Sequence, residues 1–134
     1  MPAWLVPGPF PAEFMTDERC SITELLNIDE SPDASLALAR VAPGVTTRLH
    51  AVTGTTECYV ILAGHGVVEV DGTPEAVSPG DRIVIPAGVA QRITATGAAP
   101  LEFHCVCTPR FRPANYVDLG DPPPATAPAR RSPR

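Results

Sequence analysis

The chain has 134 residues, 44% of them hydrophobic, and 15 acidic against 10 basic residues give a net charge of −5. That length predicts one domain able to bury a real core, while the acidic balance argues against a nucleic-acid partner, which asks for a basic face. No apolar run approaches the ~20 residues of a membrane span, and all the basic residues are arginine, so Schiff-base and P-loop chemistry, both of which need lysine, are excluded.

Residues 1–19 open with "MPAWLVPGPFPAEF", proline-rich and without periodicity. No positive segment precedes an apolar stretch, so no secretory leader is expected and the cytoplasm is the expected location. Trp4, Leu5, Phe10 and Phe14 predict that part of this segment packs as an arm. Added to a neighbouring subunit's sheet, it would cover an exposed edge and give a homodimer. Strands are then predicted at 20–27, 35–42, 46–52, 57–63, 67–70, 81–86, 91–96 and 101–107, with a weaker one at 75–77. Turn sequences separate them: "PG" at 43–44, "TGT" at 53–55, "GHG" at 64–66, "DG" at 71–72 and "PG" at 79–80. Short strands at this spacing predict an all-β sandwich or small barrel over residues 20–117. Residues 118–134, ending "DPPPATAPARRSPR", are predicted to be a disordered Pro/Arg-rich tail.

Cys20, Cys58, Cys105 and Cys107 form no CxxC pair, which argues against a structural zinc site. They read as reduced thiols packed like small apolar groups. His50 and Glu57 need more explanation. They bracket a glycine-centred turn in the apolar, β-branched stretch "LHAVTGTTECYVILAG", where a titratable group is costly unless something pairs with it.

The spacing around them is specific. Gly44, His50, Val52, Glu57 and Gly64 fall at the positions of G-x5-H-x-H-x4-E-x6-G, with Val52 in place of the second histidine. Gly80, Pro86, Gly88, Gln91 and Ala95 fall at those of G-x5-P-x-G-x2-H-x3-N, with Gln91 and Ala95 in place of histidine and asparagine. The pair resembles the two motifs of the cupin superfamily, and the ending "CTPRFRPANYVDL" is similar to that of small single-domain bacterial cupins. The resemblance implies a single-domain antiparallel jelly-roll β-barrel. In metal-binding cupins the motif residues converge inside the barrel as three histidines and a glutamate. Carried over, this implies one divalent metal held by His50, Glu57 and Gln91, with manganese, iron, nickel and zinc all compatible with imidazole and oxygen donors.

Strand parity extends the site. If His50 faces inward, Thr46, Arg48 and Val52 do too; Tyr59 and Ile61 share the face of Glu57, and Ile93 and Ala95 that of Gln91. A cavity bearing Arg48, His50, Glu57, Tyr59 and Gln91 against apolar walls has the form of a small-molecule site. Glu57, His50 and Tyr59 are the candidate catalytic residues, although Tyr59 also reads as a core aromatic. Arg48 and Gln91 are candidate substrate contacts, Arg48 as a clamp for an anion. His104 shares the parity of Glu102 and is expected outside, whereas Leu101, Phe103, Cys105 and Cys107 make the better inner face. His65 belongs to a hairpin tip, and Glu24 is expected in solvent with the cavity within reach.

Three functions fit. One is an enzyme performing proton transfer (isomerisation, cyclisation, dehydration or lyase cleavage) on a small polar or anionic metabolite. Another is an iron-dependent dioxygenase. The third is a non-catalytic binding or sensor module, because fold alone does not fix function.

Overall fold

A computed structural model describes residues 2–124. It is built from eleven strands: β1 Phe14–Met15, β2 Ser21–Leu26, β3 Ser35–Val41, β4 His50–Val52, β5 Thr56–Ala63, β6 Gly66–Val70, β7 Thr73–Val77, β8 Arg82–Ile85, β9 Gln91–Ala95, β10 Leu101–Thr108 and β11 Tyr116–Asp118. They form two antiparallel sheets, one in the order β1-β2-β3-β10-β5-β8 and the other β11-β4-β9-β6-β7. This is the jelly roll the two motifs imply. No helix among the described residues is long and apolar enough to cross a membrane.

The alternation along β5 shows why these residues form this sheet. Glu57, Tyr59 and Ile61 are buried, while Leu62 is exposed and Cys58 and Val60 lie between. β10 runs beside it with Leu101, Phe103 and Cys107 buried, and the Tyr59 and Phe103 rings meet at 4.7 Å between centroids. With Val41, Ile85 and Ile93 these residues make the core between the sheets, where burying each large aliphatic side chain contributes roughly 1.5–3 kcal/mol. Gly64, which closes the first motif, has φ +81°, and a Cβ there would run into the carbonyl oxygen of Pro100. Only glycine meets both conditions.

The run expected as one strand at 46–52 is a strand only at His50–Val52. Upstream, Thr46 makes an isolated bridge to Thr94, and the Thr47 hydroxyl accepts the Ile93 N–H at 3.0 Å. A side chain that takes a ladder hydrogen bond interrupts the regular pairing. Two short strands were not anticipated. Phe14–Met15 pairs with β2, and Tyr116–Asp118 pairs with β4, Tyr116 opposite Val52 and Asp118 opposite His50.

Along the N-terminal arm Trp4 is 83% exposed and Phe10 69%. At the other end, the segment expected to be a tail begins with residues that make contacts. Asp118 pairs with Arg48 and Asp121 with Arg19. Residues 125–134 lie outside the described part of the chain. Arg92 and Glu69 form a buried two-pronged ion pair at 2.7 and 3.0 Å. The same guanidinium donates to the carbonyls of Pro122 and Pro123.

Breaking that pair from one side leaves a buried charge. Glu69→Leu alone is expected to cost about 3 kcal/mol, the low end for such a loss because the two proline carbonyls still accept. Adding Arg92→Leu should recover most of it. Urea-unfolding midpoints of the two single variants and the double variant check this.

Candidate functional site

A cavity of about 490 Å³ lies inside the barrel, within the usual range for a small-molecule site. β4 contributes His50 and Val52, β5 contributes Glu57 and Tyr59, and β10 contributes Phe103, Cys105 and Cys107. The β10 face expected to point inward does so, and His104 does not border the cavity. Thr47 borders it and Thr46 does not, because regular alternation begins only at His50. Glu24 also reaches the wall, and burial raises its pKa against the opposing influence of Asn27 and Arg110.

His50 is buried, and its Nδ1 lies 2.8 Å from the carbonyl oxygen of Arg48. A carbonyl only accepts, so this contact puts the proton on Nδ1 and leaves Nε2 as the accepting nitrogen of the neutral ring. The Tyr116 ring stacks on the imidazole at 5.0 Å and 17°. Glu18 Oε2 lies 3.4 Å from the same Nδ1. Neither Glu18 nor Tyr116 was anticipated as part of the site. Glu18 lies in the charged turn "TDERC", and Tyr116 in a strand of three residues, too short for periodicity to reveal. The one available signal was Pro113–Asn115, which makes a 3-10 turn that brings the chain back to β4.

Glu57 is 8% exposed. The Cys107 thiol, opposite it on β10, donates to Oε2 at 3.7 Å, and Oε1 has no hydrogen-bond partner. Burial raises the Glu57 pKa above the ordinary carboxylate value, and Glu18 raises it further, against the lowering influence of His50, Gln91 and Cys107. The Tyr59 hydroxyl donates to the side-chain oxygen of Gln91. Burial, with Glu57 close by, holds that phenol well above its ordinary range. Burial first, and then Glu57, push the Cys107 thiol up to about 12, so it is a neutral donor near pH 7.

Of the five expected site residues, His50, Glu57, Tyr59 and Arg48 border the cavity and Gln91 does not. Arg48 is not free to clamp an anion. Its guanidinium lies 3.1 Å from Asp118 and 3.8 Å from Asp121. The expected metal ligands fare differently from one another. His50 and Glu57 are in place, but Gln91 is fully buried with its oxygen engaged by Tyr59, and Val52 brings no donor. Among the described residues no group of three or more His, Cys, Asp or Glu side chains is placed to hold a metal ion. Two donors fall short of the three protein ligands of a catalytic metal site, so the residues present do not fit the group.

Residues 37–107 match the family model for the cupin domain. The chain belongs to the cupin family. An uncharacterized protein of Methanocaldococcus jannaschii, MJ1618, is 35% identical to this cupin over 100 residues, covering 73% of this chain and 80% of that protein. Among solved structures, a predicted oxalate decarboxylase from Thermotoga maritima superposes with a TM-score of 0.65 at 27% identity, covering 73% of this chain and 90% of that one. The Streptomyces nucleoside dehydratase Pac13 gives a TM-score of 0.72 at 14% identity, covering 87% and 93%, a likeness of fold alone.

Glu57 has a folded-state pKa above its ordinary value of 4.5, so between those two values the folded protein binds more protons than the unfolded chain. Keeping this carboxyl buried therefore costs stability at neutral pH, and that cost fades as pH falls through the raised value toward 4.5. Glu57→Gln is expected to raise Tm at pH 7 by a few degrees, on the scale of ~1 kcal/mol. The gap to wild type should shrink by pH 5 in paired calorimetric scans.

Proposed function

We propose that this cupin is a small-molecule enzyme whose chemistry is proton transfer, of the isomerase, cyclase, dehydratase or lyase type, run by His50 and Glu57. The observation that carries the reading is a division of roles across one cavity, His50 on β4 of one sheet and Glu57 on β5 of the other. His50 is fixed as the tautomer whose Nε2 accepts a proton, and Glu57 is a buried carboxyl held above the ordinary carboxylate range. A base and an acid whose environments set them apart are the working parts of acid–base catalysis.

In an elimination, Nε2 takes a proton from a substrate carbon, the C–H electron pair becomes the new double bond, and the leaving hydroxyl departs as water with the Glu57 proton. The imidazolium then gives its proton to solvent, and Glu57 takes one back from solvent, so that the net change is loss of water from the substrate. Tyr59 spends its hydroxyl proton on Gln91 and takes no part in the transfer. The apolar wall excludes bulk water, which strengthens each of these interactions. The resemblance to a dehydratase and to a predicted decarboxylase supports a reaction on a small molecule. A dioxygenase is a weaker reading, because an iron site of that kind has three protein ligands and two are in place here.

Solvent exchange tests the proposal without knowledge of the true substrate. A panel of small hydroxylated compounds incubated in deuterated water and followed by proton NMR should show a C–H replaced by deuterium in at least one. That exchange should fall ~10²-fold or more in His50→Ala and in Glu57→Gln. Exchange at wild-type rate in both variants would remove these residues from the chemistry. Compounds that bind without any exchange would favour the binding-module reading.

A further inference from the structure

We infer that the cavity selects an organic cation, a protonated amine carried on a small apolar or aromatic body. This rests on the cavity being the ligand site, as the acid–base reading also holds, but it concerns the charge of the ligand and not the reaction.

Two carboxyl oxygens carry the argument. Glu57 Oε1 and Glu18 Oε2 are both buried and have no hydrogen-bond partner among the described residues, and both residues border the cavity, Glu18 Oε2 3.4 Å from His50 Nδ1. Glu57 is more than nine-tenths buried, so water does not freely satisfy it. A buried acceptor without a donor is costly, and the cost is relieved by whatever brings the donor. An ammonium brings three donors and no acceptor. A carboxylate or phosphate brings acceptors only and would leave both oxygens as they are.

Charge points the same way. Five acids border the cavity (Asp17, Glu18, Glu24, Glu57 and Asp118) against a single arginine, Arg48. Arg48 is already matched by Asp118 and Asp121, so an incoming anion meets no free guanidinium there. It meets Glu18 instead, and like charge in a low-dielectric wall repels. The remaining wall suits the body of such a ligand. The rings of Phe14, Tyr59, Phe103, Phe111 and Tyr116 border the cavity, and aromatic faces attract cations as well as apolar groups.

Three probes of one shape separate the possibilities: 2-phenylethylamine, 2-phenylethanol and phenylacetate, titrated into the full chain by calorimetry at pH 7. The amine should bind tightest, about tenfold or more above phenylacetate, a difference of ~1.4 kcal/mol. Glu18→Gln should weaken the amine several-fold and leave the alcohol within a factor of two. Glu18→Ala should weaken the amine at least as much as Glu18→Gln, so the charge assignment does not hang on one variant. Rising salt should weaken the amine alone. Phenylacetate binding as tightly as the amine, an alcohol equal to the amine, or no binding by any of the three overturns the inference. So does an equal loss of amine and alcohol in both variants. These readouts do not involve turnover, so the charge preference can fail while proton transfer stands, and deuterium exchange can fail while the preference stands.

Discussion

Burial of Tyr59 and Ile61 commits Glu57 to the interior. The three share one face of β5, and side chains two apart on a strand cannot be separated without breaking the pleat. The apolar contacts of Tyr59 and Ile61 therefore hold a carboxylate where its own hydration would never place it. Much of what is distinctive about the site follows from that constraint: the raised proton affinity of Glu57, the thiol that donates to it, and the buried oxygen left without a partner among the described residues.

His50 depends on a different device. Its tautomer is set by a main-chain carbonyl two residues back, so it needs no acidic partner to orient it. The surroundings of the ring come from the two ends of the barrel sequence. The turn carrying Glu18 and the strand carrying Tyr116 meet beside the imidazole, and Arg19 and Arg48 tie them together through Asp121 and Asp118. The working pair thus sits on strands of the two sheets, and the segments beside His50 are tied in by strand pairing and by ion pairs.

The parts of this molecule that repeat with a period of two were legible in the sequence, and the parts fixed by single long-range contacts were not. β5, β9 and β10 carry alternating apolar residues, and the inward set Phe103, Cys105 and Cys107 follows from parity alone. The motif spacing located His50 and Glu57 for the same reason, because glycine turns and strand lengths are local. Gln91 was located as well, but its oxygen is turned by the Tyr59 hydroxyl, 32 residues away in sequence. Arg48 was rightly placed on the wall, while its partner Asp118 lies 70 residues downstream. Nothing local to either residue announces such a pairing. Glu18 and Tyr116 belong to segments too short to carry any period, and only strand pairing with β4 gives Tyr116 its place.

The links closing one side of the cavity differ in kind from those that build the barrel. Arg19 and Asp121 are each more than two-fifths exposed, and Arg48 meets an Asp118 that is half exposed. Ion pairs in water are individually weak and loosen with salt. They also join residues 102 and 70 positions apart, so each closes a long loop. Local opening in proteins begins where few apolar contacts resist it. Rising salt therefore loosens these ties before it touches the backbone ladders that hold β4 and β5 in place.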